Sequence, residues 1–171
     1  MSDRTLKQPV SRFDALRRRL LGTLVAGTGL AALGTARKSA AQEDDLRFPG
    51  EDPTHKIVYQ FNKGDAEYHQ HVLFSVGAML RKYGDNIHVV VTCFGPGIHI
   101  LAEFPKRPVS KETRQRVSSL AQYGVEFHAC GNTMQSLGWT QDDLLPFAKM
   151  VEVGAADLME LQEKGYAYVS W

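Results

Sequence analysis

Ile87-His88-Val89-Val90-Val91-Thr92-Cys93 is an almost unbroken apolar, β-branched run. A strand of this kind is covered on both faces, as in a parallel sheet sandwiched between helices. The flanking chain supports that reading. Upstream, residues 56–61 (KIVYQF) form a β-branched and aromatic run, Asn62-Lys63-Gly64-Asp65 is a turn, and residues 66–83 place Val72, Leu73, Val76, Met79, Leu80 and Tyr83 at helical spacing before Gly84. Downstream come Gly95-Pro96-Gly97, a short helix expected over 98–103, and a loop bounded by Pro105 and Pro108. Ser110 then caps a helix running to Tyr123, which Gly124 stops. Residues 125–129 (VEFHA) read as a strand delivering Cys130, and Thr140-Gln141-Asp142-Asp143 as a capping-box start to a short helix. A short strand at 150–153, a helix at 155–164 ended by Gly165 and a last strand at 166–169 complete the list. The order β-α-β-α-α-β-α-β-α-β predicts one α/β domain over residues 56–171. It is expected to be a flavodoxin-like three-layer α/β/α sandwich on a five-stranded, mainly parallel sheet.

Charge divides the chain. The whole carries 20 Lys+Arg and 19 Asp+Glu, but residues 1–41 hold eight basic groups and two acidic ones, leaving 12 basic and 17 acidic groups after them. A net-acidic domain without a basic cluster argues against nucleic acid as partner. Two cysteines, Cys93 and Cys130, are too few for a disulfide scaffold or a four-cysteine zinc site.

The first 41 residues read as an export signal. Residues 12–19 (RFDALRRR) precede an apolar stretch, 20–34, that contains four glycines. As a helix it would span ~22 Å, short of a ~30 Å bilayer core. Ser39 and Ala41 fit a signal-peptidase site, so cleavage is expected after Ala41. The paired arginines before a weakly apolar, Gly-rich core resemble a twin-arginine (Tat) signal. The expectation is a periplasmic protein with no stable membrane insertion after cleavage. Residues 42–55 read as a flexible acidic leader.

In open parallel sheets, ligands bind beyond the carboxyl ends of the strands. No G-x-G-x-x-G and no P-loop occurs, so a nucleotide cofactor is not expected. Cys130 stands where a strand ends, and Gly131-Asn132-Thr133 reads as a helix entry whose free N–H groups favour a thiolate. Gly131 allows another backbone, or a partner's sulfur, to approach. The bland alternative is that Cys130 is a small buried filler. His128 shares a strand face with Cys130 and either tunes the thiolate or simply packs. Asn132 either binds a persulfide or caps the helix. Cys93 reads as a core cysteine, with a resolving thiol as its functional alternative. Were the first strand to lie between the second and third, Cys93 and Cys130 would sit ~9–10 Å apart, beyond the ~7 Å limit for a disulfide. His99 is placed to face the same cleft. His69 and His71 read as surface or interface residues, and Trp139 and Trp171 as packing or subunit contacts.

Cys130-Gly131-Asn132-Thr133-Met134, with Val125-Glu126-Phe127 before it, is similar to the DsrE/DsrF-like family. So is the distal pattern Val151, Gly154, Leu158-Met159, Leu161-Gln162 and Gly165-Tyr166-Ala167-Tyr168-Val169. The resemblance implies five parallel strands and a sulfur-carrier function in which Cys130, after the third strand, holds sulfur as a persulfide. It implies donor and acceptor partners, proteins or small sulfur compounds, and homo-oligomers, with a trimer or hexamer preferred. Only thiol exchange is needed, so neither an organic cofactor nor a metal is expected. Two competing readings are a metal-binding module built from Cys93, His99, His128 and Cys130, and an assembly subunit whose cysteine is incidental.

Overall fold

The computed structural model describes residues 52–171. The expected signal peptide, its expected cleavage site and most of the expected acidic leader lie outside the described residues. Strand β1 spans His55–Phe61, helix α1 Ala66–Tyr83, β2 Ile87–Cys93, α2 Lys111–Gln122, β3 Glu126–Cys130, α3 Gly131–Leu137, β4 Ala148–Val151, α4 Gly154–Glu163 and β5 Ala167–Val169. Local chemistry sets many of these bounds. Asp65 caps α1 by accepting from the Tyr68 N–H, and Ser110 caps α2 by accepting from the Thr113 N–H. Thr140 and Asp143 form the reciprocal capping box, though the helix it opens is a single 3-10 turn, Gln141–Asp143. Gly124 ends α2 with φ +87°, a conformation glycine adopts without strain. The expected helix at 98–103 is instead a 3-10 segment, Gly95–Leu101. Gly97 there lies directly against the Phe61 backbone, which leaves no room to start a wider turn.

All strands pair in parallel, in the order β4-β3-β2-β1-β5. The first strand therefore does not separate the second from the third. β2 pairs directly with β3, with Cys93 opposite Ala129. From β1 to β4 the chain steps across the sheet in one direction, then returns past β1 to place β5. Right-handed crossovers put the helices of the forward steps on one face and that of the return step on the other. The packing agrees. Tyr68, Val72, Leu73 and Val76 of α1, Val117 and Leu120 of α2 and Met134 of α3 share one cluster with Ile57, Tyr59, Phe61, Val89, Val91, Cys93, Phe127 and Ala129. Leu158 and Leu161 of α4 pack with Val58 and Val90 on the opposite face. Three layers result, as expected.

His69 is buried at 2% exposure, contrary to its reading as a surface residue. It lies on the same α1 face as Val72, Leu73 and Val76, at the i+3, i+4 and i+7 spacing that meets the sheet. Its ring stacks on Phe61 at 5.1 Å, and Nε2–H donates to the Lys63 carbonyl at 3.0 Å. That bond satisfies the ring where burial disfavours its charged form and lowers its pKa. His71, two residues on, is exposed. Among the described residues no helix is long and apolar enough to cross a membrane.

Candidate functional site

Cys130 ends β3 and is the residue before α3. The adjacent strand, β4, leads into α4 on the other face of the sheet. Between β3 and β4, therefore, successive connections leave for opposite faces, the place at the carboxyl edge where ligands of such sheets bind. Cys130 sits at that edge with 5% of its surface exposed. Its Sγ accepts the Gly154 N–H at 3.2 Å. Gly154 is the first residue of α4, and Val153 before it offers no side-chain cap. The cysteine sulfur thus takes the place of a cap and meets the positive end of a ten-residue helix.

Burial pushes the Cys130 thiol upward, but hydrogen bonds from the Gly154 N–H, the Thr133 hydroxyl and the Thr133 and Asn132 N–H groups outweigh it. The net effect holds the thiol below its ordinary value. The Thr133 hydroxyl oxygen also accepts the Gly95 N–H at 3.1 Å, which ties the loop after β2 to this helix entry. Gly131 does permit a close backbone approach, by this chain's own β4–α4 connection: a Cβ there would stand 3.1 Å from both the Val151 and Glu152 carbonyl oxygens. Asn132 donates its N–H to the Glu152 carbonyl at 3.2 Å, and its side chain is exposed. Gly154 is equally confined, since a Cβ would meet Cys130 Cβ at 3.1 Å and Phe94 Cδ1 at 3.2 Å.

His128 lies on the same strand face as Cys130 and is bound to a carboxylate. Asp157, in the first turn of α4, meets His128 Nδ1 at 2.9 Å and accepts the Thr92 hydroxyl at 2.6 Å. Burial raises the Asp157 pKa, and the bonds from His128 and Thr92 more than reverse that, leaving it lowered. On its other side, His128 Nε2 stands 3.4 Å from Glu126, which also meets His88 Nε2 at 3.4 Å and Lys149 Nζ at 2.8 Å. The sequence reading had no part for Gly154, Asp157 or Thr92 in this site. Asp157 lies 27 residues beyond Cys130 and on the next helix, with only its placement in a first turn to mark it.

Cys93 is not brought to the site. It points to the α1 side of the sheet, is fully buried, and its pKa is raised well above the ordinary thiol value by that burial. Its register partner is Ala129, the neighbour of Cys130, so the two cysteines are close along the sheet yet face opposite ways. Both are free thiols. A disulfide is excluded by facing, not by an intervening strand. His99 also lies on the α1 side, buried at 3% exposure, with its ring edge-on to Trp139 at 5.0 Å. The four residues of the metal-binding alternative are thus split between two faces of the sheet. Among the described residues no three His, Cys, Asp or Glu side chains are grouped to hold a metal ion.

The model of the DsrE/DsrF-like family matches residues 55–171. The chain belongs to the DsrE/DsrF-like family. Solved structures agree with the fold of this DsrE/DsrF-like protein. A protein of unknown function from Methanobacterium thermoautotrophicum is 23% identical with a TM-score of 0.61, over 68% of this chain and 99% of that one. The ychN protein from E. coli is 13% identical with a TM-score of 0.55, over 68% and 99%. A conserved protein of unknown function from Bacteroides thetaiotaomicron is 12% identical with a TM-score of 0.52, over 68% and 94%. No curated protein matches this DsrE/DsrF-like chain in sequence.

Proposed function

We propose that this DsrE/DsrF-like protein is an exported sulfur carrier whose working group is the Cys130 thiolate. The observation that carries the reading is the Gly154 N–H bonded to Cys130 Sγ at the start of α4. It supplies a fixed donor to a sulfur that must bear negative charge. In the first step the thiolate attacks the outer sulfur of a donor persulfide, forming Cys130–S–SH and releasing the donor thiolate. In the second, an acceptor thiolate attacks that outer sulfur, leaves with it, and returns Cys130 as thiolate. Each step exchanges one sulfur–sulfur bond for another, so no external oxidant or reductant enters. Intact-mass measurement after exposure to polysulfide tests the reading. One added sulfur per chain, removable by reductant and mapped to Cys130, is expected. No adduct on any thiol with any sulfane donor refutes it.

Export and assembly belong to the same proposal. The paired arginines at 17–19 and the short, Gly-diluted apolar stretch after them support the Tat route. Replacing Arg17, Arg18 and Arg19 with lysine is expected to retain the chain in the cytoplasm. Mature protein should begin at or near Gln42, and exported protein that still starts at Met1 or Ser2 would overturn cleavage. For assembly, Phe74, Tyr123, Tyr168 and Trp171 are between 41% and 76% exposed, while Leu158 and Leu161 are buried within the domain. Apolar rings left outside the core favour subunit contacts. A homo-oligomer, trimeric or hexameric, is expected by light scattering at micromolar protein, and a monomeric mass would count against it.

A further inference from the structure

The polar cluster on the α4 face of the sheet has a use that sulfur transfer itself does not require. Asp157 joins three elements. Its carboxylate accepts from Thr92 on β2 at 2.6 Å and meets His128 on β3 at 2.9 Å, while its own N–H donates to the Val153 carbonyl at 2.9 Å. Thr92 and His128 face each other in register, so the carboxylate sits astride two paired strands. Three residues before Asp157, at the start of the same helical turn, is Gly154, whose N–H meets Cys130 Sγ.

We propose that Asp157 is a positioning residue for the Cys130 sulfur: by clamping the first turn of α4 to β2 and β3, it sets the Gly154 N–H against Sγ. The geometry favours a rigid link. Thr92 is completely buried and His128 nearly so, and a short turn of helix transmits a displacement at Asp157 directly to Gly154. The apolar contacts of the helix, Leu158 and Leu161, lie further along it and meet Val58 and Val90. The inference rests on Cys130 being used as a thiolate, as proposed above.

The sign of the effect separates positioning from simple charge. Asp157 carries negative charge, as does Glu126 on β3, while His88, His128, Lys149, Lys164 and Tyr166, whose hydroxyl is bonded to His88, are cationic or titratable groups on this face. If Asp157 acted on Cys130 only through space, removing its charge would favour the thiolate and speed its alkylation near neutral pH. If it positions the Gly154 donor, losing the carboxylate disfavours the thiolate and slows alkylation.

The test is the pH dependence of Cys130 alkylation by iodoacetamide, followed by peptide mapping on the folded full-length protein. It reads the thiol and not sulfur transfer, so failure of the clamp and failure of the carrier reading remain distinguishable. For Asp157→Ala, alkylation near neutral pH is expected to fall about tenfold, the change that one unit in thiol pKa produces, with the rate at alkaline pH unchanged. Because that variant can lose folded structure, Thr92→Val and Thr92→Ser supply the second arm. The first keeps shape and loses the hydroxyl; the second keeps the hydroxyl. Thr92→Val should shift the profile in the same direction by a smaller amount, and Thr92→Ser should restore the wild-type profile. A Thr92→Val profile that superimposes on wild type, or an Asp157→Ala protein that alkylates faster near neutral pH, overturns the proposal.

Discussion

Cys130→Ser should abolish sulfur loading, whereas Cys93→Ser should leave most of it. The two thiols differ in every respect that governs reactivity. The Cys130 sulfur is at the carboxyl edge of the sheet with N–H and hydroxyl donors aimed at it, and these hold its pKa below the ordinary value despite burial. Cys93 has no donor: its Sγ–H points to the Val91 carbonyl at 3.8 Å, inside the apolar core, and desolvation raises its pKa. Since the thiolate is the nucleophile, these opposite shifts favour Cys130 over Cys93 as the reacting thiol. Cys93 also lacks a path to solvent, with 0% exposure. Peptide mapping after polysulfide treatment checks the contrast. Label on Cys93 in the wild-type protein, or an undiminished adduct in Cys130→Ser, would remove the basis of the mechanism. Full biological activity in Cys130→Ala would favour the assembly-subunit reading instead.

Among the described glycines, Gly97→Ala should be the most destabilising alanine substitution. A Cβ at this position would overlap the Phe61 carbonyl oxygen and stand 2.7 Å from its carbon and 2.9 Å from the Asn62 nitrogen. These are backbone atoms at the end of β1 and cannot rotate away. The loop after β2 would have to lift off β1, breaking the bond from the Phe94 N–H to the Phe61 carbonyl at 3.1 Å. It would also pull Gly95 from Thr133. Overpacking of this kind costs about 3 kcal/mol. For a domain of this size, that lowers the melting temperature by roughly 10 °C. Gly77→Ala is the control. It lies inside α1, where a Cβ meets only the flexible end of Arg81 at 3.3 Å. There alanine should be neutral or stabilising by up to about 1 kcal/mol through helix propensity. Thermal unfolding followed by circular dichroism decides. A Gly97→Ala protein that melts with the wild type would show that the loop yields without cost.

What the amino-acid sequence determined by itself is the list of elements and the position of the nucleophile within it. Both bounds of α1 and of β2 are legible in apolar spacing, and Ser110, Gly124 and the Thr140–Asp143 box mark their turns, because capping, periodicity and glycine conformation act over a few residues. That Cys130 closes a strand and opens a helix follows from the same local rules.

Tertiary structure decided what those rules do not encode. Alternation of strands and helices allows several strand orders, and only packing of the whole chain put β2 beside β3 and sent α4 to the far face. From that choice follow the place of Cys130 beside the start of α4, the register that turns Cys93 away from it and the burial of His99 away from the site. It also carries Gly154 and Asp157, 24 and 27 residues downstream, to the sulfur and to the strands beside it. Contacts between residues so far apart in the chain form only when several helices and strands pack at once, so no short stretch of sequence carries their signature.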